Sequence, residues 1–275
     1  MNHKRDVFFI PSKSGDLFAV YYHPSGQTSF ARGDILYIHP FADEMNKSRR
    51  MAALQAGLFS QKGFGILQID LFGCGDSKGE FGDATWDIWK DNINTAIEWL
   101  IVKKGKKISL WGLRLGALLM MDFVKNSRVP IEKYIFWQPV LNGKMAMHQF
   151  FRLALASQIM GRDQESSKEI REKLSREQNV EIGGYELNHE LVNMIERINM
   201  ADLCPLPGSR IIWKEISFND SGNIAPGTSK LVENFKQKGC IVETELVKGN
   251  SFWNTIEIAI LPELIQSTTN SMISD

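Results

Sequence analysis

The chain has 275 residues, 32 of them basic and 32 acidic, so its formal net charge is zero. This length suits one enlarged domain with a single core, and the charge balance supplies neither the basic footprint of a nucleic-acid binder nor an acidic tail, so nucleic acid is excluded as an expected partner. Cys74, Cys204 and Cys240 are odd in number and widely spaced in sequence, with neither a disulfide framework nor zinc-ligand spacing; with no apolar leader and no apolar run of the roughly 18 residues a span needs, the expectation is a cytoplasmic protein without a membrane span.

Residues 7–10 and 17–22 are rich in β-formers and split by Ser14-Gly15-Asp16, which predicts an antiparallel hairpin. Four short apolar runs follow, at 35–38, 65–69, 108–111 and 134–137, the pattern of strands buried on both faces. Helical stretches at 47–62, 84–103 and 115–125 separate them, each long enough for a crossover. Such alternation predicts a mostly parallel sheet with helices on both faces and ligands at the carboxyl ends of the strands. Residues 145–160 and 187–198 are amphipathic and 166–177 densely charged, with no strong strand before 210. Residues 142–201 are therefore expected to form a helical cap inserted into a core made of 1–141 and 202–275. The rhythm then resumes as strand 210–216, helix 229–238, strand 241–247 and helix 253–267, giving a sheet of about eight strands.

Trp111-Gly112-Leu113-Arg114-Leu115-Gly116-Ala117 runs a buried strand straight into an apolar helix through two glycines four apart. It is similar to the G-x-S-x-G elbow, in which flanking glycines permit a strained turn that holds one side chain above the sheet beside the amides opening a helix; here that side chain is Arg114. Asp70-Leu71-Phe72-Gly73-Cys74-Gly75-Asp76-Ser77 resembles the D-x-x-G-x-G-x-S turn of α/β-hydrolases. The rival reading, a Rossmann phosphate loop, fits poorly, because Gly79 is one residue late for G-x-G-x-x-G and the turn does not follow the first strand. Ile38-His39-Pro40-Phe41 ends a strand where that fold carries its oxyanion loop, so the Phe41 and Leu115 amides are candidate oxyanion donors; the alternative is an ordinary strand end.

Together with His39-Pro40-Phe41-Ala42-Asp43-Glu44-Met45-Asn46-Lys47-Ser48-Arg49-Arg50-Met51, Trp137-Gln138-Pro139-Val140, Gly184-Tyr185-Glu186-Leu187 and Phe252-Trp253, these motifs resemble the hydrolase 2 family associated with the exosortase A system. The resemblance spans most of the chain. It implies an α/β-hydrolase fold related to serine-aminopeptidase-like and lipase-like enzymes, a bacterial setting beside exopolysaccharide and protein-sorting genes, and association with exopolysaccharide or exosortase-linked proteins.

The residues that such enzymes use are substituted. Arginine cannot replace serine as a nucleophile, because its guanidinium stays protonated and offers no usable lone pair. The loop after the last strand, where the fold keeps its histidine, reads Lys248-Gly249-Asn250-Ser251-Phe252-Trp253, which makes Ser251 the second substituted triad position. Of the five histidines, His3, His23, His148 and His189 fall in the opening hairpin or the cap, and only His39 lies near the site, where it reads as structural. Glu215 and Asp220 both lie near the acid position, and either can face the site. Cys74 and Ser77 are nucleophile types without a histidine at hand, so their activation is weak.

Two roles remain open for Arg114. At a helix N-terminus its fixed charge and the backbone donors suit a carboxylate, phosphate or sulfate; alternatively it pairs with Glu44 or Asp70 and plugs a dead site, since a buried guanidinium needs a partner. Glu44 and Asn46 are placed to face the pocket, while Lys47, Arg49 and Arg50 read as a solvated face from which one can reach it. The apolar stripe Met145, Phe150, Phe151, Leu153, Leu155, Ile159 and Met160 either packs the cap on the sheet or lines an acyl tunnel, and Trp86, Trp89 and Trp99 read as core or rim. The functional expectation is a catalytically altered hydrolase homologue binding an anionic or acyl-type small molecule through Arg114, Leu115, Phe41, Glu44 and Asn46, with no cofactor and no metal. A working esterase or acyltransferase with a non-standard constellation is the second reading, and a non-catalytic interaction partner the third, so enzymatic activity is left open.

Overall fold

The computed structural model describes residues 4–25, 31–105, 107–157, 167–218 and 222–274. Strands β1 (Arg5–Ile10) and β2 (Leu17–Tyr22) form the expected antiparallel hairpin, with Arg5 opposite Tyr22 and Ile10 opposite Leu17. The chain then alternates through β3 (Gly33–Ile38), α1 (Asp43–Gln61), β4 (Phe64–Ile69), α2 (Trp86–Lys104), β5 (Ile108–Leu113), α3 (Leu115–Asn126) and β6 (Ile131–Trp137). An inserted segment carries α4 (Gly143–Ser157), α5 (Ser167–Ser175), β7 (Val180–Ile182), β8 (Tyr185–Leu187) and α6 (His189–Arg197). The alternation resumes with β9 (Arg210–Ser217), α7 (Pro226–Gln237), β10 (Ile241–Lys248) and α8 (Pro262–Ile273).

Eight strands form one sheet in the order β1-β2-β4-β3-β5-β6-β9-β10. The β1–β2 and β2–β4 pairs are antiparallel and all the others parallel. Because side chains alternate across a strand, the central strands feed two cores at once. Leu36 and Ile38 of β3 and Leu110 of β5 face the layer that holds Trp86, Trp89 and Leu118, whereas Ile35, Tyr37 and Trp111 face the layer that holds Met51, Phe59 and Leu264. Trp86 and Trp89 are buried in the first core and Trp99 packs at its edge, as their position on α2 suggested.

Within the inserted segment the expectation of helices alone is corrected: β7 and β8 form a small antiparallel ribbon, Val180 opposite Leu187. Gly183 and Gly184 turn it at φ 60° and 80°, a left-handed backbone that glycine adopts without strain. The segment leaves and returns side by side, since Gly143 N–H donates to Ile198 O at 3.0 Å and Met200 N–H to Leu141 O at 2.9 Å. Two boundaries are displaced furthest. Helix α1 begins at Asp43, where Asp43 and Glu44 lie in the first turn and suit the positive end of the helix dipole. The helix expected at 253–267 forms only from Pro262 onward, with the proline at its start, because a proline inside a helix removes an N–H and clashes with the preceding turn. Residues 253–261 are irregular. Cys204 and Cys240, far apart in sequence, bring their free thiol sulfurs to 3.9 Å. No helix among the described residues is long and apolar enough to cross a membrane.

Candidate functional site

The turn between β5 and α3 has the strain its glycines imply. Arg114 sits at φ 54°, ψ −120°, a region that costs a non-glycine residue of order 1–3 kcal/mol and persists only where the surroundings enforce it. Here the glycines let the chain close up. A β-carbon on Gly112 would lie 2.5 Å from Ala117 Cα, and one on Gly116 would lie 2.4 Å from Ile38 O and 2.5 Å from His39 O. Arg114 N–H donates to Trp137 O at 3.0 Å, while its carbonyl accepts from Ala117 N–H and Val140 N–H at 3.1 and 3.2 Å. The turn is thus tied to β6 and to the residues after it.

A second residue carries the same strain. Ala42, at φ 49°, ψ −130°, precedes α1 much as Arg114 precedes α3, so the loop after β3 and the turn after β5 present two helix starts at one end of the sheet. Neither Phe41 N–H nor Leu115 N–H donates to a backbone carbonyl among the described residues. Both residues line a cavity of about 770 Å³, and so does Arg114.

Among the described residues four charged side chains line this cavity: Asp43, Glu44, Lys47 and Arg114. Lys47 Nζ is committed to Asp43 at 2.9 Å. Glu44 Oε1 accepts from Arg114 Nε at 3.3 Å, longer than the 2.7–2.9 Å usual for a charge-assisted bond. Of the five N–H groups on a guanidinium, this is the only one with a hydrogen-bond partner among the described residues. Burial pushes the Glu44 carboxyl above the usual carboxylate range, with Arg114 and Lys47 acting against that shift. The guanidinium carbon lies 5.2 Å from the centre of the Trp253 ring, close enough for a cation–π contact.

The remaining sequence candidates divide clearly. Asp70 pairs with Arg49 at 2.9 Å and accepts from Asp76 N–H, so it is not a partner of Arg114. His39 is buried: Nε2 accepts from Leu71 N–H at 3.1 Å, which leaves the proton on Nδ1, donated to Pro40 O at 2.7 Å. Desolvation lowers its pKa and keeps it neutral. Ser77 Oγ bridges Asp70 O and Phe18 N–H, and burial pushes the Cys74 thiol up, away from the reactive thiolate. Glu215 is buried and turned to the start of α7, accepting from Ala225 N–H at 3.1 Å and from the Thr228 hydroxyl. Asp220 lies outside the described residues. Ser251 is exposed and away from the cavity lining. Asn46 is also exposed, its amide 3.4 Å from the Tyr185 hydroxyl, and Tyr185 rather than Asn46 lines the cavity.

The apolar stripe of the inserted segment divides between the core and the cavity. Phe151 is buried in the core, whereas Phe150 and Leu153 face the cavity and Met145 is exposed; Ile159 and Met160 lie outside the described residues. Lys47, read as part of a solvated face, lines the cavity, and Arg50 is exposed. The sequence reading assigned no site role to Val140, Met147, Tyr185, Trp253 or Ile256, all of which line the cavity. One signal was available: Trp253 follows the last strand, in the loop that should have supplied a histidine.

Comparison with solved structures identifies this architecture as the α/β-hydrolase fold. The chain is similar to Est1E from Butyrivibrio proteoclasticus with bound ferulic acid, at TM-score 0.66 and 17% identity over 97% of this chain and 98% of that one. A thermostable carboxyl esterase from Bacillus coagulans in complex with glycerol matches at TM-score 0.62 and 12% identity, over 99% and 97%. A soluble variant of monoglyceride lipase from Saccharomyces cerevisiae with a substrate analogue matches at 0.59 and 13%, over 98% and 96%. No protein-family model matches the sequence, and a search of curated proteins finds no relative.

Proposed function

We propose, starting from an α/β-hydrolase fold whose apex carries arginine, that this protein binds an anionic or acyl-type small molecule in the cavity between the elbow and the inserted segment. Arg114 is the anchor, and the Phe41 and Leu115 amides receive a ligand oxygen. The observation that carries the reading is the partial occupancy of the guanidinium: among the described residues one of its five N–H groups is used, on one long bond to Glu44, while the residue lines a cavity. A plug would saturate its donors, since an unpaired buried cation is costly. Catalysis by an acyl-serine at position 114 is chemically closed, so the role is binding rather than hydrolysis. The setting in exopolysaccharide or exosortase-linked metabolism rests on the sequence resemblance alone.

A second reading has one observation in its favour: the Phe41 and Leu115 amides, neither of which donates to a backbone carbonyl among the described residues, are the donors an esterase or acyltransferase would direct at a developing oxyanion. One experiment separates the two. Thermal-shift measurements with short carboxylates, phosphate and sulfate should show stabilisation that is lost in Arg114→Ala; at a ligand concentration 100-fold above Kd the effect amounts to about 2.7 kcal/mol. In parallel, a fluorophosphonate probe should leave the protein unlabelled. Covalent labelling at a serine overturns the binding reading in favour of the enzyme, and the absence of a shift with every anion returns Arg114 to the role of a plug.

A further inference from the structure

The Glu44–Arg114 contact raises a question about what happens when a ligand arrives. Glu44 occupies the place an anion would take, but loosely: a single 3.3 Å bond to Nε, from a side chain on the first turn of α1 directly after the strained Ala42. The other guanidinium donors are unclaimed among the described residues. We propose that Glu44 is a resident competitor for the site: a monocarboxylate with an apolar body replaces it on Arg114, and the displaced Glu44 carboxylate takes up one proton from solvent, so that ligand binding and proton uptake are a single event. This rests on the anion-binding reading above and specifies the ligand class and the control of that site.

The electrostatics follow from what surrounds Glu44. On its own helix it is faced by Asp43 and Lys47, which are already paired at 2.9 Å; from the start of α3 by Arg114; and from β3 it feels the buried Tyr37 phenol, while Tyr185 of β8 lines the same cavity. Among the described residues, helix α4 contributes Ala146, Met147, Gln149, Phe150 and Leu153 to the cavity, and the loop after β10 Trp253, Asn254 and Ile256. No second free cation is therefore placed to neutralise Glu44 among the described residues. Two carboxylates flanking one guanidinium repel each other, and in a partly apolar cavity one of them becomes neutral, as in paired-carboxylate sites generally. The ligand keeps the charge because its carboxylate can engage the free fork of donors bidentately, so the proton goes to Glu44. Its carboxyl, already raised by burial without a ligand, is the group prepared to accept it. The same count selects a monoanion. With Lys47 held by Asp43, the second charge that phosphate carries above about pH 7 would find no partner among the described residues lining the cavity.

Isothermal titration calorimetry with octanoate and with inorganic phosphate tests this, run at several pH values between 5.5 and 8.5 in two buffers of different ionisation enthalpy. The expected result is uptake of about one proton per octanoate bound, affinity falling by up to about tenfold per pH unit on the alkaline side, and weaker binding of phosphate. In Glu44→Gln the proton uptake disappears and affinity at pH 8.5 matches or exceeds that of the wild type at pH 5.5. Octanoate binding in the wild type with pH-independent affinity and no proton uptake overturns the exchange while leaving the anion site standing. Failure of both octanoate and phosphate to bind the folded wild type and the folded Glu44→Gln protein overturns the anion site and the exchange together.

Discussion

His39 shows how a residue near a catalytic position becomes structural. Both ring nitrogens are used, one accepting from Leu71 N–H and the other donating to Pro40 O, and burial holds its pKa below the ordinary value of about 6.5. As pH falls, the unfolded chain therefore takes a proton before the folded one does. The histidine's contribution to stability is complete above about pH 6.5 and is lost as pH falls toward the folded-state value, with a slope of at most about 1.4 kcal/mol per pH unit. Urea denaturation between pH 5 and 8 should show this decline in the wild type. In His39→Gln, which keeps an acceptor for Leu71 N–H, the decline should be shallower by up to one proton. Glu44, whose raised pKa acts in the opposite direction, is common to both proteins and cancels in the comparison. Identical pH slopes would mean that His39 does not titrate differently on folding.

Among the elements, the β5–α3 turn places the site, and its geometry depends on the start of α3 touching the end of β3. Gly116 brings the helix against the Ile38 and His39 carbonyls, where a methyl group would meet backbone oxygen rather than a movable side chain. Gly116→Ala is therefore expected to lose about 1–3 kcal/mol of stability, read from the denaturation midpoint, and to weaken ligand binding by displacing Leu115 N–H. A variant of unchanged stability would mean that this junction can open without cost. The turn was legible in sequence because two glycines four apart between an apolar strand and an apolar helix admit few other structures. The start of α8 was not read correctly, although Pro262 marked it: the alternating Ile256, Ile258 and Ile260 gave 253–261 an apolar character that in the structure belongs to an exposed loop. The β7–β8 ribbon was missed because strands of three residues are too short to display a period of two.

At the scale of the whole molecule, the sheet and the inserted segment differ in how they are held. Strands β3, β5 and β6 are paired on both sides and covered on both faces, whereas the β7–β8 ribbon has one partner per strand and α5 carries several exposed charged residues. Amides open locally at a cost that rises with such burial. Hydrogen exchange followed by mass spectrometry should protect β3, β5 and β6 longest and release α5 and the β7–β8 ribbon first, with a bound carboxylate slowing Tyr185 and its neighbours. Equal protection of the inserted segment and the central strands would mean that 142–201 is not a separately opening unit.

The sequence by itself determined the alternation of strands and helices in the main sheet and the strand-to-helix turn that carries Arg114. Each of these follows from local pattern: apolar period, crossover length and the two glycines that only a tight strand-to-helix turn requires. Only the tertiary structure decided which acid meets the guanidinium. Glu44 and Asp70 were equal candidates along the chain, and Arg49, one helical turn beyond Met45, claims Asp70 and leaves Glu44 for Arg114. It also decided that Trp253 rather than Ser251 approaches the site and that Glu215 is turned away to the start of α7. Side-chain partners at this range depend on which faces the packed helices and loops present to one another, and linear spacing does not encode that.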